Sequence, residues 1–256
     1  GELSTWVRPV VDNLNKINYY SKKNDRLNFS INLILVPCPN SSGTEHKVAK
    51  SWNKFKIVTK AENFWELLIR PHKYKKWPQK GIVVFLGGDQ LWSVLLAKRL
   101  GYLNITYAEW ISRWPRWNNI IAAMNNKVKK SIPQKYRYKC KVIGDLMADI
   151  ANNKEISLNL KGKELIALLP GSKKAKLSAG IPYFLEMADH IHKKNRDINL
   201  IIPIAPTTSP SEYLFFQSNK NPIAKYYSSK IKKIKPIKNS IFNYVIETSK
   251  NTKIFL

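Results

Sequence analysis

Short apolar runs alternate with helix-like patterns along most of the chain. Residues 29–36, 81–86 and 164–169 are rich in Ile, Leu and Val, and each run is followed by Pro or Gly. Such runs are typical of parallel strands that are buried on both faces. Between them, residues 64–69 and 92–100 carry apolar residues at helical spacing. Strands that alternate with helices predict an α/β protein with a doubly wound parallel sheet.

Shorter signals predict the remaining elements. Gly101 is a suitable residue to end the helix before it, because glycine readily adopts the left-handed conformation. Further runs with strand or helix spacing occur in both halves of the chain. They predict helices at residues 5–17 and 182–192, strands at 55–58, 105–108, 139–143, 199–204 and 254–256, and a loop or lid at 72–80.

A polar segment at residues 152–163 separates two such patterns. We therefore predict two Rossmann-like domains, residues 1–155 and 163–256. The first is expected to lack its first strand, because the chain opens directly on a helix pattern without an initial Met, as a fragment or processed product would. The second is expected to be incomplete, because the pattern weakens beyond Pro210 and the chain stops on an apolar run.

The formal net charge is +27 over 256 residues, and lysine greatly outnumbers arginine. An anionic membrane surface and a nucleic acid would both attract such a chain. The lysines are spread along the chain rather than grouped with arginine and aromatics, which disfavours nucleic acid. The alternative explanation of this charge is compositional drift, since Lys, Asn and Ile are abundant throughout the chain. No apolar run reaches about 18 residues and no signal peptide opens the chain. Cys38 and Cys140 lie far apart in sequence, which suits a reducing cytosol. We therefore expect a cytoplasmic protein, peripheral on the inner face of the membrane.

Open α/β sheets bind ligands at the carboxyl ends of their strands, and three predicted strand ends carry polar residues. The first is Gly87-Gly88-Asp89. The glycines allow close backbone approach, and a carboxylate there can activate an acceptor hydroxyl. N-capping of the following helix explains Asp89 equally well. Glu2, at the start of the chain, would either cap a helix or face the same cleft.

The second strand end leads into an aromatic stretch. Glu109 can bind a sugar hydroxyl, although a helical salt bridge to Arg113 at i, i+4 is favoured. Trp110, Trp114 and Trp117 recur at spacings of four and three. On a helix they would share one face, which favours a core or interface stripe over a stacking platform for a sugar or base. The planar guanidinium of Arg113 suits a contact with an anion.

The third strand end is Pro170-Gly171-Ser172-Lys173, between an apolar strand and a helix pattern. Free backbone N–H groups and the positive end of a helix dipole suit a phosphate there. An ordinary turn with solvated lysines is the alternative that this short signal leaves open. Neither spaced Cys/His ligands nor a Ser/His/Asp arrangement is evident, so metal and acyl-transfer chemistry have weak support.

Together, five collinear segments resemble the lipid-A-disaccharide synthase family, especially its cyanobacterial relatives. The resemblance covers about residues 1–210. The family's motifs are G-E-x-S-G-D, G-I-D-A-P-D, an aromatic and Arg-bearing segment, G-H-x-x-A-D and A-L-L-P-G-S-R. Their counterparts here are Gly1-Glu2-Leu3-Ser4-Thr5, Gly87-Gly88-Asp89, and residues 110–117, 144–149 and 167–173.

The resemblance implies a GT-B glycosyltransferase with two Rossmann-like domains that face each other across a cleft. The enzyme would be an inverting hexosyltransferase that needs no metal or other cofactor. Its donor substrate would be a UDP-sugar such as UDP-N-acetylglucosamine, and its acceptor would be a glycolipid at an anionic membrane. The oligomeric state is left open, with a homodimer as one option. The implied residues are Glu2 and Asp89 for catalysis, Gly87, Gly88, Glu109 and Arg113 for the acceptor side, and Gly171, Ser172 and Lys173 for the donor phosphates.

The chain also departs from the family's pattern. Trp92 stands where the family has the second Asp of G-I-D-A-P-D, and Thr5 and Trp6 replace Gly and Asp of the opening motif. Asp145 replaces His, and Lys173 replaces Arg. The loss of the second Asp leaves the identity of the base open, and an incomplete second domain would leave this chain itself inactive. The alternatives are a catalytically inactive, membrane-associated GT-B binding protein and a basic nucleic-acid-binding protein.

Overall fold

The computed structural model describes residues 2–23, 29–39, 41–74, 77–148, 164–205, 207–238 and 242–256. The chain divides into two compact units, Gly1–Lys154 and Glu155–Leu256. The predicted boundary at residue 155 and the polar segment 152–163 lie outside the described residues, as do Gly1 and Asp149.

The first unit alternates helices and strands, as its apolar pattern predicts. A π-helical turn, Leu3–Val7, leads into the first helix. The helices are α1 (Arg8–Lys23), α2 (Glu45–Ser51), α3 (Phe64–Ile69), α4 (Pro71–Tyr74), α5 (Gln90–Leu100) and α6 (Asn126–Ser131), with 3₁₀ turns at Ala61–Asn63 and Gln134–Lys139. The strands are β1 (Asn32–Ile34), β2 (Ile57–Thr59), β3 (Ile82–Phe85), β4 (Leu103–Ala108), β5 (Ile120–Ala123) and β6 (Cys140–Val142).

Two parallel sheets position the loops of this unit. Strands β3, β4, β5 and β6 form one sheet in which each strand pairs with the next along the chain. Strands β1 and β2 form a separate parallel pair. Helix α5 contacts β3 and β4, and its Leu96 and Leu100 join Leu67 of α3 in a buried cluster. Because the strands of the larger sheet are parallel, the loops that follow their carboxyl ends gather at one edge.

The second unit has one sheet and a long helix. Its helices are α7 (Lys174–Lys194) and α8 (Pro210–Phe216), with a 3₁₀ turn at Pro222–Tyr226. Its strands are β7 (Leu165–Ala167), β8 (Asn199–Ile201), β9 (Ile231–Pro236), β10 (Tyr244–Thr248) and β11 (Lys253–Phe255). Helix α7 buries Leu177, Ile181 and Leu185 in a core that also contains Leu200 and Ile246 of the sheet.

The order of the second sheet is β7-β8-β11-β10-β9. Strands β7, β8 and β11 pair in parallel, as expected for a Rossmann-like unit. Strand β10 runs antiparallel to both β11 and β9, so the sheet contains one reversed strand that the apolar pattern does not predict. The residues after Pro210, where that pattern weakens, nevertheless supply α8 and three of the five strands.

Some predicted boundaries are wrong in detail. Helix α7 begins at Lys174 rather than at residue 182. The lid candidate at 72–80 begins inside the helical turn of α4, and the indole N–H of Trp77 donates a hydrogen bond to the Pro71 carbonyl at 3.0 Å. Among the described residues, no helix combines the length and the apolar character that crossing a bilayer requires.

Candidate functional site

The turn after β3 brings together the start of the chain and the Gly87-Gly88 pair. A Cβ built on Gly87 would lie 2.9 Å from the Cβ of Glu2. Gly88 has φ +90°, and a Cβ built on it would lie 2.7 Å from the Cγ2 of Val36, which follows β1. Glycine is therefore required sterically at both positions. The structure places Glu2 directly against the turn that carries Asp89.

Asp89 is the N-cap of helix α5. Its Oδ1 accepts a hydrogen bond from the backbone N–H of Leu91 at 2.9 Å, and its side chain is exposed. The capping interpretation of Asp89 is therefore correct. A carboxylate can cap a helix with one oxygen while the other faces solvent, so the catalytic role of Asp89 stays a prediction.

Tyr107, near the end of β4, joins three segments at the same edge of the sheet. Its ring packs edge-on against Trp6 with centroids 5.6 Å apart, and its hydroxyl oxygen accepts a hydrogen bond from Leu146 N at 3.4 Å. Burial raises the pKa of the Tyr107 hydroxyl, the Leu146 hydrogen bond lowers it, and the negative charges of Asp145 and Glu109 raise it further. Glu109 and Asp145 thus share the electrostatic environment of Tyr107.

Gln90 ties the turn after β3 to the loop after β4. Its Nε2 donates to the Ile111 carbonyl at 2.8 Å, and its Oε1 accepts from Arg113 N at 2.7 Å. The segment around Arg113 is not helical, so the predicted i, i+4 geometry with Glu109 does not form. No salt bridge between Glu109 and Arg113 is present among the ion pairs of the described residues. The favoured salt-bridge interpretation is therefore wrong.

The three tryptophans of this loop do not form a buried helical stripe. Trp114 has φ 59°, in the left-handed region that a bulky side chain rarely adopts. That backbone turn stacks its ring on Trp117, with centroids 5.3 Å apart. Trp110, Trp114 and Trp117 are all exposed, so a helical core stripe is wrong, and an interface role stays a prediction.

Trp92 belongs to a different aromatic cluster. Its ring lies 5.0 Å from that of Trp65 and 5.5 Å from that of Phe64, both on α3. The first turn of α5 therefore packs on α3 through an aromatic side chain.

In the second unit, the turn before α7 leaves the start of that helix open. Gly171 has φ +105°, and Lys173 is the N-cap residue without a side-chain hydrogen bond to the first turn. The first turn contains no acidic residue, and Gly171, Ser172 and Lys173 are all exposed. Gly180 permits this turn to sit on the helix, because a Cβ there would lie 2.5 Å from the Pro170 carbonyl oxygen.

Glu186, also on α7, is a charged group that the sequence pattern does not identify. Its carboxylate accepts hydrogen bonds from the backbone N–H groups of Ser228 at 3.0 Å and Ser229 at 2.8 Å. The Lys250 ammonium lies 3.2 Å from its Oε1. These donors, Ser229 first, lower the pKa of Glu186 to about 2. A Ser-Ser pair far along the chain gives no local signal that could reveal this cluster.

The predicted residues thus fall into two groups. Glu2, Gly87, Gly88 and Asp89 come together in the first unit, and Gln90 links them to Arg113. The donor-side residues Gly171, Ser172 and Lys173 belong to the second unit. Among the described residues, no group of three or more His, Cys, Asp or Glu side chains is arranged to hold a metal ion.

No protein-family model matches this sequence, and no curated protein matches it. Solved structures do show similarity. S. aureus MnaA in complex with UDP has 11% identity over 76% of this chain and 66% of its own, with a TM-score of 0.46. A Listeria monocytogenes protein that carries the name UDP-N-acetylglucosamine 2-epimerase has 12% identity over 84% of this chain and 65% of its own, with a TM-score of 0.50.

The second of these similarities shows the fold. The chain is an α/β protein of the GT-B-like kind, built from Rossmann-like units with parallel strands. The chain spans slightly less than two thirds of the length of either neighbour.

Proposed function

We propose that this protein is a glycosyltransferase that transfers a sugar from a UDP-sugar to a glycolipid on the inner face of the membrane. The observation that carries the proposal is the open N-terminus of α7 behind Gly171. Backbone N–H groups without a side-chain cap, a positive helix end and Lys173 suit a diphosphate. In Rossmann-like folds, such a strand-to-helix turn is where nucleotide phosphates bind.

The fold likeness supports a uridine nucleotide as the ligand. The L. monocytogenes neighbour is named for an enzyme that acts on UDP-N-acetylglucosamine. The motif resemblance supports the same donor class and adds the lipid-linked acceptor. The net charge of +27 is consistent with an acceptor that is embedded in an anionic surface.

The acceptor side would use the carboxylates at the Gly87 turn. In the proposed reaction, an acceptor hydroxyl attacks the anomeric carbon of the donor, the bond from that carbon to UDP breaks, and the configuration inverts. The candidates that accept the hydroxyl proton are Asp89 and Glu2 of the first unit. The candidate that balances the charge of the departing UDP is Lys173 of the second unit. The reaction is proposed to need no metal ion.

One observation favours a second candidate, a protein that binds nucleotide sugars without transferring them. Trp92 replaces a carboxylate of the resembling family and packs on Phe64 and Trp65. The start of α5 then offers Asp89 alone, already engaged as a cap.

UDP binding tests the donor site. Lys173→Ala is expected to weaken UDP binding about tenfold in calorimetric titration, because it removes a charge-assisted contact to phosphate. Lys193→Ala, at the far end of the same helix, is the matched control and should bind like the wild type. Absence of UDP binding at millimolar concentration, or equal loss in both variants, would contradict the donor site.

Substitution of Asp89 separates transfer from binding. Asn caps a helix about as well as Asp, so Asp89→Asn keeps α5 intact and removes the basic carboxylate. If Asp89 is the base, UDP release from a UDP-sugar with a glycolipid acceptor should fall about 100-fold or more in Asp89→Asn, with unchanged UDP affinity. Wild-type protein that binds UDP but releases none from any UDP-sugar would favour the second candidate.

A further inference from the structure

The loop between β4 and β5, residues 109–119, exposes an unusual amount of apolar surface. Trp110 is 78% exposed, Ile111 51%, Trp117 49% and Trp114 39%. We call these four residues the tryptophan face. Several large exposed apolar side chains within one short loop are typical of an interaction site.

Polar contacts hold the tryptophan face in place. Gln90 fixes the backbone at Ile111 and Arg113, as described above. At the other end of the loop, the Lys139 ammonium donates to the Arg116 carbonyl at 3.1 Å and to the Asn118 carbonyl at 2.9 Å. Trp114 keeps a left-handed backbone that costs about 1 kcal/mol or more, which persists only where surrounding contacts enforce it.

Cationic side chains lie in the same loop as the tryptophan face. Arg113 and Arg116 are exposed within the loop, and Glu109 is its single acidic residue. Tyr138, which is 80% exposed, precedes Lys139, whose ammonium contacts the loop. Tryptophan and tyrosine with arginine and lysine are the side chains enriched where proteins meet the headgroup region of a bilayer.

We propose that the tryptophan face docks this protein on an anionic lipid bilayer. Tryptophan inserts an apolar body at headgroup depth while its N–H stays hydrated, and the arginines pair with lipid phosphates. Trp114 and Trp117 stack on each other, so one face of each ring is already covered, and Ile111 adds an aliphatic side chain that suits a lipid. The positive charge of the whole chain complements an anionic surface.

The inference deepens the proposed function, since a lipid-linked acceptor requires membrane contact, but its readout is separate. Vesicle binding should not depend on Lys173, and UDP binding should not depend on Trp110. If the protein binds vesicles but does not bind UDP, the donor site alone is refuted. If it binds UDP but does not bind vesicles, the docking surface alone is refuted.

Co-sedimentation with phosphatidylglycerol-containing vesicles tests the surface. The wild type should bind these vesicles and bind pure phosphatidylcholine vesicles much less. Trp110→Ala combined with Trp117→Ala should weaken binding about tenfold, because two interfacial rings are lost. Tyr226→Ala removes a 75% exposed aromatic residue from the second unit and should leave binding unchanged. Circular dichroism and thermal melting verify that each variant is folded.

A single substitution guards against misfolding of the double variant. Trp110→Asp changes the most exposed ring of the tryptophan face and adds a charge that an anionic bilayer repels, so it should weaken binding at least as much. Lipids brominated near the headgroup should quench wild-type tryptophan fluorescence and quench the variants less. Unchanged vesicle binding in both variants would overturn the proposal. So would a dimer in solution that Trp110→Asp separates while the wild type ignores vesicles, because the occupant would then be a second copy.

Discussion

Glu2 lies against Gly87, so that a Cβ added at residue 87 would approach the Cβ of Glu2 to 2.9 Å. This contact joins the start of the first helical segment to the turn after β3. Gly87→Ala should destabilise the protein by about 1–3 kcal/mol in urea denaturation, because one of the two segments must move.

A double-mutant cycle attributes that cost to Glu2. Glu2→Gly removes the obstructing Cβ, so the double variant should lose less stability than the sum of the two single variants. Strict additivity would show that Gly87 is required for another reason.

The hydrogen bond between Gln90 and Arg113 should slow the hydrogen exchange of the Arg113 amide. Gln90→Ala removes the oxygen that accepts the hydrogen bond of the Arg113 amide. The amide should then exchange its hydrogen about tenfold faster, which corresponds to a loss of roughly 1.4 kcal/mol in the free energy of opening. Mass-spectrometric or NMR hydrogen exchange at Arg113 measures the effect. Gln134→Ala, an exposed glutamine at the start of a 3₁₀ turn, should leave that amide protected. An Arg113 amide that exchanges fast in the wild type would remove the basis of this prediction.

The hydrogen bond of Thr248 leads us to expect that Thr248→Val lowers the stability of the protein more than Thr59→Val does. The Thr248 hydroxyl donates to Asp189 Oδ1 at 2.5 Å, and Asp189 is only 5% exposed, with an Oδ2 that has no partner among the described residues. Thr248→Val would leave a buried carboxylate without its donor, which should cost about 2 kcal/mol or more in chemical denaturation.

Thr59 is the matched control for Thr248. It is 1% exposed, and its hydroxyl has no hydrogen-bond partner within the part of the chain that the structure describes. Thr59→Val should therefore be neutral or stabilising, because it removes an unsatisfied polar atom while keeping the shape. Equal losses in the two variants would contradict the hydrogen-bond explanation.

The lowered pKa of Glu186 leads us to expect that the second unit loses stability in acid. The pKa of Glu186 is about 2 in the folded protein, whereas the ordinary value for a glutamate is 4.5. Its contribution to stability is therefore present above pH 4.5 and is lost as the pH falls toward 2. Glu186→Gln should cost about 1 kcal/mol near neutral pH, because hydrogen bonds to a charged acceptor become weaker. Stability curves between these pH values should be flatter for Glu186→Gln, whereas Glu62→Gln, at an exposed position, should follow the wild type.

The elements that sequence predicts well are those with strong local signals. Helix α5 has an Asp cap, an apolar face and Gly101 at φ +68°, and both of its ends lie close to the predicted positions. Strand β5 was not predicted, because Ile120-Ile121-Ala122-Ala123 is short and alanine has little strand preference. Helix α8 carries a capping box of Ser209 and Glu212 with Pro210 after the cap, a visible signal that could have located it.

The site was predictable only as far as strand ends identify it. The pattern located Asp89 and Gly171 from the apolar runs that precede them. It wrongly predicts a helix and a core position for the tryptophans, because spacings of three and four are also compatible with a loop, and Pro115 lies within that stretch. The contacts of Glu186, Gln90 and Tyr107 join residues distant in sequence, and no local pattern encodes them.

The position of β11 makes the two units differ in how they can assemble. In the first unit each strand of the larger sheet meets its successor, so every pairing closes a short stretch of chain. In the second, β11 lies between β8 and β10 and pairs Ile254 with Leu200 far upstream. Such closure is slow. Until residues 253–255 pair, β8 of the pair β7-β8 and β10 of the pair β10-β9 each present an unpaired strand edge. The second unit is therefore more vulnerable to aggregation than the first during synthesis and refolding.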